Sequence, residues 1–362
     1  MKKITLYLFR KNTILILLSL SVLLFIMTGC SAKKSDKKIV GISAPSNEIQ
    51  RWALETAQLK EELTKRGYDV IVQYASNDVA MQINQIENMI AQRADILIIV
   101  PVESASLGEA LDMAKEHNIP VISYDMLITN TDAVSYYATF DNYGVGKIMA
   151  EYVRDKLDLD NTDKTYNIEF TAGNPGDNNA AFFFNGSMDV MRPYIKKGVL
   201  NVVSGQTTFT QCSTPGWSTE KAQQRAENLL ASYYMNTDVD IWISSADIVS
   251  LGVIVALTNS YNHKYPIVTG QDCALLNIHH IIDGKQTMSI FKDPVLLIDA
   301  TANIVDEISS GKEVTVNDTT SYFNGIKTVP SYLCKPVYVD IDNYEDVLIP
   351  AGYYTKEQLN PD

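Results

Sequence analysis

Short apolar runs recur along this chain, separated by longer stretches in which apolar residues return every three or four positions. Lys38-Ile-Val-Gly-Ile-Ser43 reads as a strand, and Glu48 to Lys65 carries helical periodicity that ends at Gly67. Val70-Ile-Val-Gln-Tyr74 is the next predicted strand, and Met81 to Gln92 the next helix, with Ile83, Ile86, Met89 and Ile90 on one face. The strand Ile96-Leu-Ile-Ile-Val100, a helix through Leu111 and Met113, and the strand Pro120-Val-Ile-Ser-Tyr124 follow. The alternation continues through Asn167-Ile-Glu-Phe170, Val239-Asp-Ile-Trp-Ile-Ser244, Pro266-Ile-Val-Thr-Gly270 and Thr287-Met-Ser-Ile-Phe291. Strands that are apolar throughout, alternating with amphipathic helices, predict βαβ units and parallel sheets covered on both faces. Two such runs, with no linker rich in Pro, Gly or Ser between them, predict an α/β protein of two doubly wound lobes. Ligands of such sheets bind beyond the carboxyl ends of the strands, so function is sought in the polar residues that follow each strand.

The amino terminus changes the picture. Residues 1–29 contain Lys2, Lys3, Arg10 and Lys11, no acid, an apolar stretch, and the ending Met27-Thr-Gly-Cys30. That is the layout of a secretory signal. A signal-anchor helix is the competing reading, but an apolar run of about 14 residues is short against the roughly 20 needed to span a bilayer. Ser31-Ala-Lys-Lys-Ser-Asp-Lys-Lys38 is polar and charged and reads as a solvated tether. Once the signal's basic residues are set aside, 26 Lys+Arg face 43 Asp+Glu. Such a balance excludes a nucleic-acid partner and electrostatic adhesion to anionic lipid. Cys212, Cys273 and Cys334 are odd in number and far apart. They form no disulfide scaffold and no CxxC metal site, and they read as buried thiols, with one disulfide left open.

Several strand ends carry groups suited to a polyhydroxylated ligand. Asp125 follows one strand, and the loop containing Asp177 and Asn179 follows another. Asp272 and Lys292 follow two more, Arg51 and Trp52 come just after the first, and Trp217 lies in a Gly-Trp loop. Each sugar hydroxyl both donates and accepts, which suits carboxylates, amides, Arg and Lys, while the C–H faces of a pyranose bury against an indole. Taken singly, each has an ordinary alternative: an Asp after a strand is a helix N-cap, Trp52 is helix core, and Lys292 is a surface charge.

The segments Arg51-Trp52, Gln85-Ile-Glu-Asn-Met-Ile90, Tyr124-Asp125, Phe140-Asp-Asn142, Asp177-Asn-Asn-Ala180, Gly270-Gln-Asp272, Phe291-Lys292 and Val329-Pro-Ser331 occur in register. Over residues 38–360 the chain resembles the xylose-binding and multiple-monosaccharide-binding branch of the periplasmic sugar-binding proteins, relatives of the ribose and galactose binders. Met27-Thr-Gly-Cys30 resembles a bacterial lipobox, with Met27 where Leu is usual, which implies acylation at Cys30. The resemblance implies a periplasmic binding protein of type I, with two lobes joined by three hinge crossings. It implies lobes of 38–141 plus about 293–325, and 142–292 plus about 326–362, after a signal of 1–29 and a tether of 30–37. It further implies that Arg51, Asp125, Asp177, Asn179, Asp272 and Lys292 hydrogen-bond a monosaccharide between Trp52 and Trp217, with Phe140-Asp-Asn142 at a crossing. The implied partners are an ABC permease and the membrane that holds the lipid anchor; the implied state is a monomer without cofactor or metal. Two positions depart from the pattern: Met126 stands where the family has Arg, and Ala246 where relatives have Asn. Losing donors of that kind alters specificity, so the particular sugar does not follow. Asp247 reads as the cap of the next helix.

Other classes fare worse. His279 and His280 are adjacent and leave a helix on different sides, and His117 and His263 have no ligand-spaced partner. Gly173-Asn-Pro-Gly176 lacks the spacing of a phosphate loop, and no Gly-x-Ser-x-Gly elbow is present. A sensory receptor acting on a membrane histidine kinase or chemoreceptor is the alternative to a transport receptor. A carbohydrate-active enzyme, using two of the carboxylates, is the third reading.

Overall fold

Ile96-Leu-Ile-Ile99 shows why the strands are apolar on both sides: Ile96 and Ile98 pack into one core and Leu97 and Ile99 into another, across the sheet. The structure, a computed structural model, describes residues 37–48 and 50–360. The expected signal, Cys30 and all of the tether but Lys37 lie outside the described residues.

The first sheet contains β1 (Ile39–Ala44), β2 (Asp69–Tyr74), β3 (Ile96–Ile99), β4 (Val121–Tyr124), β5 (Val134–Phe140) and β11 (Ser331–Cys334). Its order is β11-β5-β4-β3-β1-β2, parallel throughout. Helices α1 (Gln50–Lys65) and α10 (Pro294–Ser310) cover one face, and α2 (Val79–Ala91) and α3 (Gly108–Glu116) the other. The second lobe holds the parallel sheet β7 (Leu200–Asn201), β6 (Tyr166–Thr171), β8 (Ile241–Ser244) and β9 (Ile267–Val268), in that order. Around it lie α4 (Asn142–Leu157), α5 (Asn178–Lys197), α6 (Phe209–Cys212), α7 (Thr219–Tyr233), α8 (Asp247–Ser260) and α9 (Leu275–Ile282). The short helices α11 (Tyr344–Leu348) and α12 (Lys356–Leu359) close the chain.

Strand β10 (Met288–Phe291) runs parallel to the continuation of β9, as expected, through Thr287 N–H to Val268 O, Ile290 N–H to Gly270 O and Asp272 N–H to Ile290 O. On its other edge it also pairs antiparallel with β12 (Val337–Asp340), which the periodicity did not single out. One assignment differs from expectation, the boundary near 326: β11 pairs with β5, so Ser331–Cys334 belong to the first sheet and the chain crosses back only after Cys334. A four-residue strand carries no mark of which sheet it joins, whereas pairing with the exposed edge of β5 satisfies its backbone. The chain passes between the sheets at Phe140–Asn142, at Phe291–Pro294 and at Cys334–Val337, and Asp141 N–H bonds to Cys334 O where two crossings meet.

Candidate binding site

All eight residues singled out at the strand ends line one cavity of about 910 Å³ between the carboxyl ends of the two sheets. That lies within the range of about 300–1,000 Å³ usual for small-molecule sites.

On the first lobe the cavity wall is organised around Arg51, in the first turn of α1. Its Nη2 donates to Asp125 Oδ1 at 2.6 Å and its Nε to Glu55 Oε1 at 2.7 Å, while its guanidinium lies 4.4 Å from the Trp52 ring centroid. Trp52 is both core and wall: it is 9% exposed, packs with the first lobe's apolar cluster, and still faces the cavity. Asp125 sits just after β4 with φ 61°, in the left-handed region. Its backbone carbonyl accepts from Tyr137 OH, Thr139 Oγ1 and Asn179 Nδ2. Those bonds hold a conformation that costs a non-glycine residue of order 1–3 kcal/mol. Burial acts to raise the Asp125 carboxyl, but attraction to Arg51 and Lys292 outweighs it and holds the group below its ordinary value. Burial pushes the Glu55 carboxyl up, against the pull of Arg51. The pattern along the chain did not single out Glu55, because it is one more charged residue on a charged helix.

On the second lobe Asp177 caps α5, accepting from Asn179 N–H at 2.9 Å, and it also accepts from Trp217 Nε1 at 3.3 Å. The ordinary cap role therefore holds for Asp177, and its carboxylate lines the cavity as well. Burial raises its pKa to about 6, helped by Asp125 and opposed by the Asn179 N–H, the Trp217 N–H and Lys292. Asn179 has most of its amide engaged within the protein. Its Oδ1 accepts from Tyr137 OH and Asn142 Nδ2, and its Nδ2 reaches across the lobes to Asp125 O. One N–H remains for anything else. Lys292, at the second crossing and 7% exposed, pairs with Asp272 at 3.0 Å and lies within 6 Å of the Phe140 and Phe183 rings. Asp272 is at φ 92° and its neighbour Cys273 at φ 49°.

Asp247 corrects an expectation. It is the first residue of α8 but does not cap it: the residue before it is Ala246, with no side-chain cap. Its buried carboxylate instead accepts from Ala274 N–H, Gln286 Nε2 and Ser289 Oγ, while its own N–H donates to Gln271 O. Asp247 thus grips the Gly270–Ala274 turn at both ends, and the strained Asp272 lies between the grips. Burial raises its carboxyl to about 7. Met126 and Ala246, the two departures from the family pattern, both line the cavity. Gln271 Oε1 and Asn178 Nδ2, in wall residues the sequence reading did not select, are buried and without a hydrogen-bond partner. Cys212, Cys273 and Cys334 are buried free thiols. Among the described residues no group of three or more His, Cys, Asp and Glu is placed to hold a metal, and His279 Nε2 meets the Gln358 carbonyl.

Gly173 sets the position of Trp217. A Cβ built on it would collide with Cη2, Cζ3 and Cζ2 of the indole's six-membered ring, so the ring lies directly on the glycine backbone. Gly173→Val should displace the indole from the wall. If a sugar ring rests on Trp217, that substitution and Trp217→Ala should each weaken binding by about 1–3 kcal/mol. Calorimetry beside intrinsic fluorescence checks it; affinity unchanged in both variants removes Trp217 from the site.

An open parallel-sheet pair with three crossings and a polar, aromatic-walled cleft defines a two-lobed solute receptor. The chain belongs to the periplasmic binding protein family: a family model described as a periplasmic binding protein domain matches residues 40–313. It is 40% identical over 328 residues to the multiple sugar-binding periplasmic protein SbpA of Azospirillum brasilense, covering 90% of this chain and 92% of the relative. It is 32% identical over 334 residues to the D-xylose-binding periplasmic protein of Escherichia coli, covering 92% and 96%. An ABC transporter solute binding protein from Clostridium phytofermentans, solved with β-D-glucose, superposes with TM-score 0.84 at 50% identity, covering 89% of this chain and 100% of that one.

Proposed function

We propose that this protein captures a monosaccharide of the aldose type between its lobes, hands it to an ABC permease, and catalyses nothing. The observation that carries the reading is the cavity itself, where two indoles and two Arg/Lys–carboxylate pairs from different lobes face one space. The glucose in the 50% identical structure supports the same ligand class. In this reading Arg51, Asp125 and Trp52 contact the sugar from the first lobe. Asp177, Trp217 and Asp272 contact it from the second, with Lys292 at the crossing and Asn179 supplying its remaining N–H. Neither lobe alone completes these bonds, so the sugar favours the closed arrangement by its differential affinity for it. Titration with a panel of pentoses and hexoses, combined with small-angle scattering, tests this. A cognate sugar should compact the protein and raise its melting temperature; no binding by any aldose overturns the reading.

The pH dependence should follow Asp177. A sugar hydroxyl donating to its carboxylate stabilises the ionised form, so the bound state has the lower pKa. Affinity should then be level at neutral pH and fall as the pH drops through about 6. Asp125 and Lys292 are the charged groups facing Asp177, and attraction to Arg51 and Lys292 holds the Asp125 carboxyl below its ordinary value, away from that interval. Asp177→Asn should flatten the profile; a wild-type affinity that rises on acidification would exclude the contact.

The reading also places the protein outside the cytoplasm, held to the membrane by acylated Cys30. Cys30→Ser should abolish fatty-acid labelling and release the protein from the membrane fraction; label retained by the variant excludes the lipobox.

A further inference from the structure

We propose that the cleft takes uncharged and cationic monosaccharides and rejects anionic ones, which rests on the sugar-receptor reading above. The charged residues lining the cavity are Arg51, Lys292, Glu103, Asp125, Asp177 and Asp272. Both cations are already committed. Arg51 is shared between Asp125 and Glu55, at 2.6 and 2.7 Å, and Lys292 is held by Asp272 at 3.0 Å. Among the described residues no Lys or Arg pairs with Asp177 or Glu103. The wall therefore carries carboxylate that its own cations do not balance, and Glu55 adds another directly behind it.

A ligand carboxylate or phosphate entering this space has no uncommitted guanidinium or ammonium to meet. To reach Arg51 it must approach Asp125 and Glu55, and to reach Lys292 it must approach Asp272. Closure removes water from all of these groups at once, so the repulsion is felt at a reduced dielectric. A like charge set against the wrong ligand is a recurring way to discriminate. Burial and the neighbouring Asp125 carboxylate raise the Asp177 carboxyl more than the pull of Lys292 lowers it. An ammonium on the sugar, in contrast, would bring Asp177 the partner the protein does not provide. The N–H groups that Arg51 and Lys292 have left belong to cations whose charge is already shared with carboxylates, and the buried wall atoms without a partner, Asn178 Nδ2 and Gln271 Oε1, are neutral. Met126 is placed where a cation would have altered this balance, and its thioether supplies none.

The test uses sugar pairs of matched ring stereochemistry: glucose against glucuronate, galactose against galacturonate, and glucose against glucosamine, titrated into the wild-type protein at neutral pH. Each acid should bind at least about thirtyfold more weakly than its neutral parent, and the amine should bind no more than about threefold more weakly than glucose. Met126→Lys places an uncommitted cation on the wall and should narrow the acid-to-neutral ratio, whatever it does to either affinity alone. Neutral sugars that bind while their acids bind equally well overturn this inference and leave the receptor reading standing. A ratio unchanged in Met126→Lys overturns the attribution to charge. If no neutral sugar binds, the receptor reading falls and takes this inference with it.

Discussion

Arg51→Leu is expected to destabilise the protein by about 3 kcal/mol at neutral pH and to lose sugar binding with it. Arg51 is the only cation bonded to Asp125 and Glu55 among the described residues, and those side chains are only 7% and 5% exposed. Removing one member of a buried ion pair strands the other, at a cost of about 3–5 kcal/mol; Arg51 is 28% exposed, which places the loss at the lower end. The pH response gives the signature. In the wild type the folded Asp125 carboxyl is held down, so its contribution to stability is present above its unfolded pKa and is lost as the pH falls through its folded value. Without Arg51 both carboxyls should be raised by burial, so the variant should regain stability on mild acidification, where they take up protons. Thermal melts across pH check this. A variant whose deficit is the same at neutral and mildly acidic pH would show that the two carboxylates do not depend on Arg51.

Asp272→Ala should weaken sugar binding by about 2–3 kcal/mol, a loss of about 30-fold to 150-fold, while the protein still folds. The loss has two sources. The sugar loses an acceptor, and Lys292, 7% exposed beside the Phe140 and Phe183 rings, loses its counter-charge at 3.0 Å. Asp272 is itself 36% exposed, which keeps the estimate toward the low end of the range for buried pairs. Asp272→Asn keeps an acceptor and the shape of the turn and should recover part of the affinity. Calorimetry and sugar-dependent compaction by scattering read the effect. Full affinity in Asp272→Ala would place Asp272 outside the site.

Composition and periodicity alone determined that the chain is built from βαβ units and that its polar strand ends are where a ligand would go. The reason is that alternation of apolar strand and amphipathic helix is a local record of burial on two faces, as Ile96 to Ile99 show with their split between two cores. The same record brought Arg51, Trp52, Asp125, Asp177, Asn179, Trp217, Asp272 and Lys292 to notice, and they line one cavity. What only the tertiary structure decided is which group each of them meets. Nothing near Glu55 in sequence says that it shares Arg51 with Asp125, which lies 74 residues beyond Arg51. Asp247 looks like a helix cap until the Gly270–Ala274 turn is seen closed upon it. Asn179 stands in the sequence as a candidate sugar contact, and only the fold brings Tyr137, Asn142 and the Asp125 carbonyl around its amide. Strand β11 is assigned to the first sheet only because β5 presents an open edge to it. Periodicity reports whether a side chain is buried; hydrogen-bond and charge partners are chosen through space, among groups that the sequence keeps far apart.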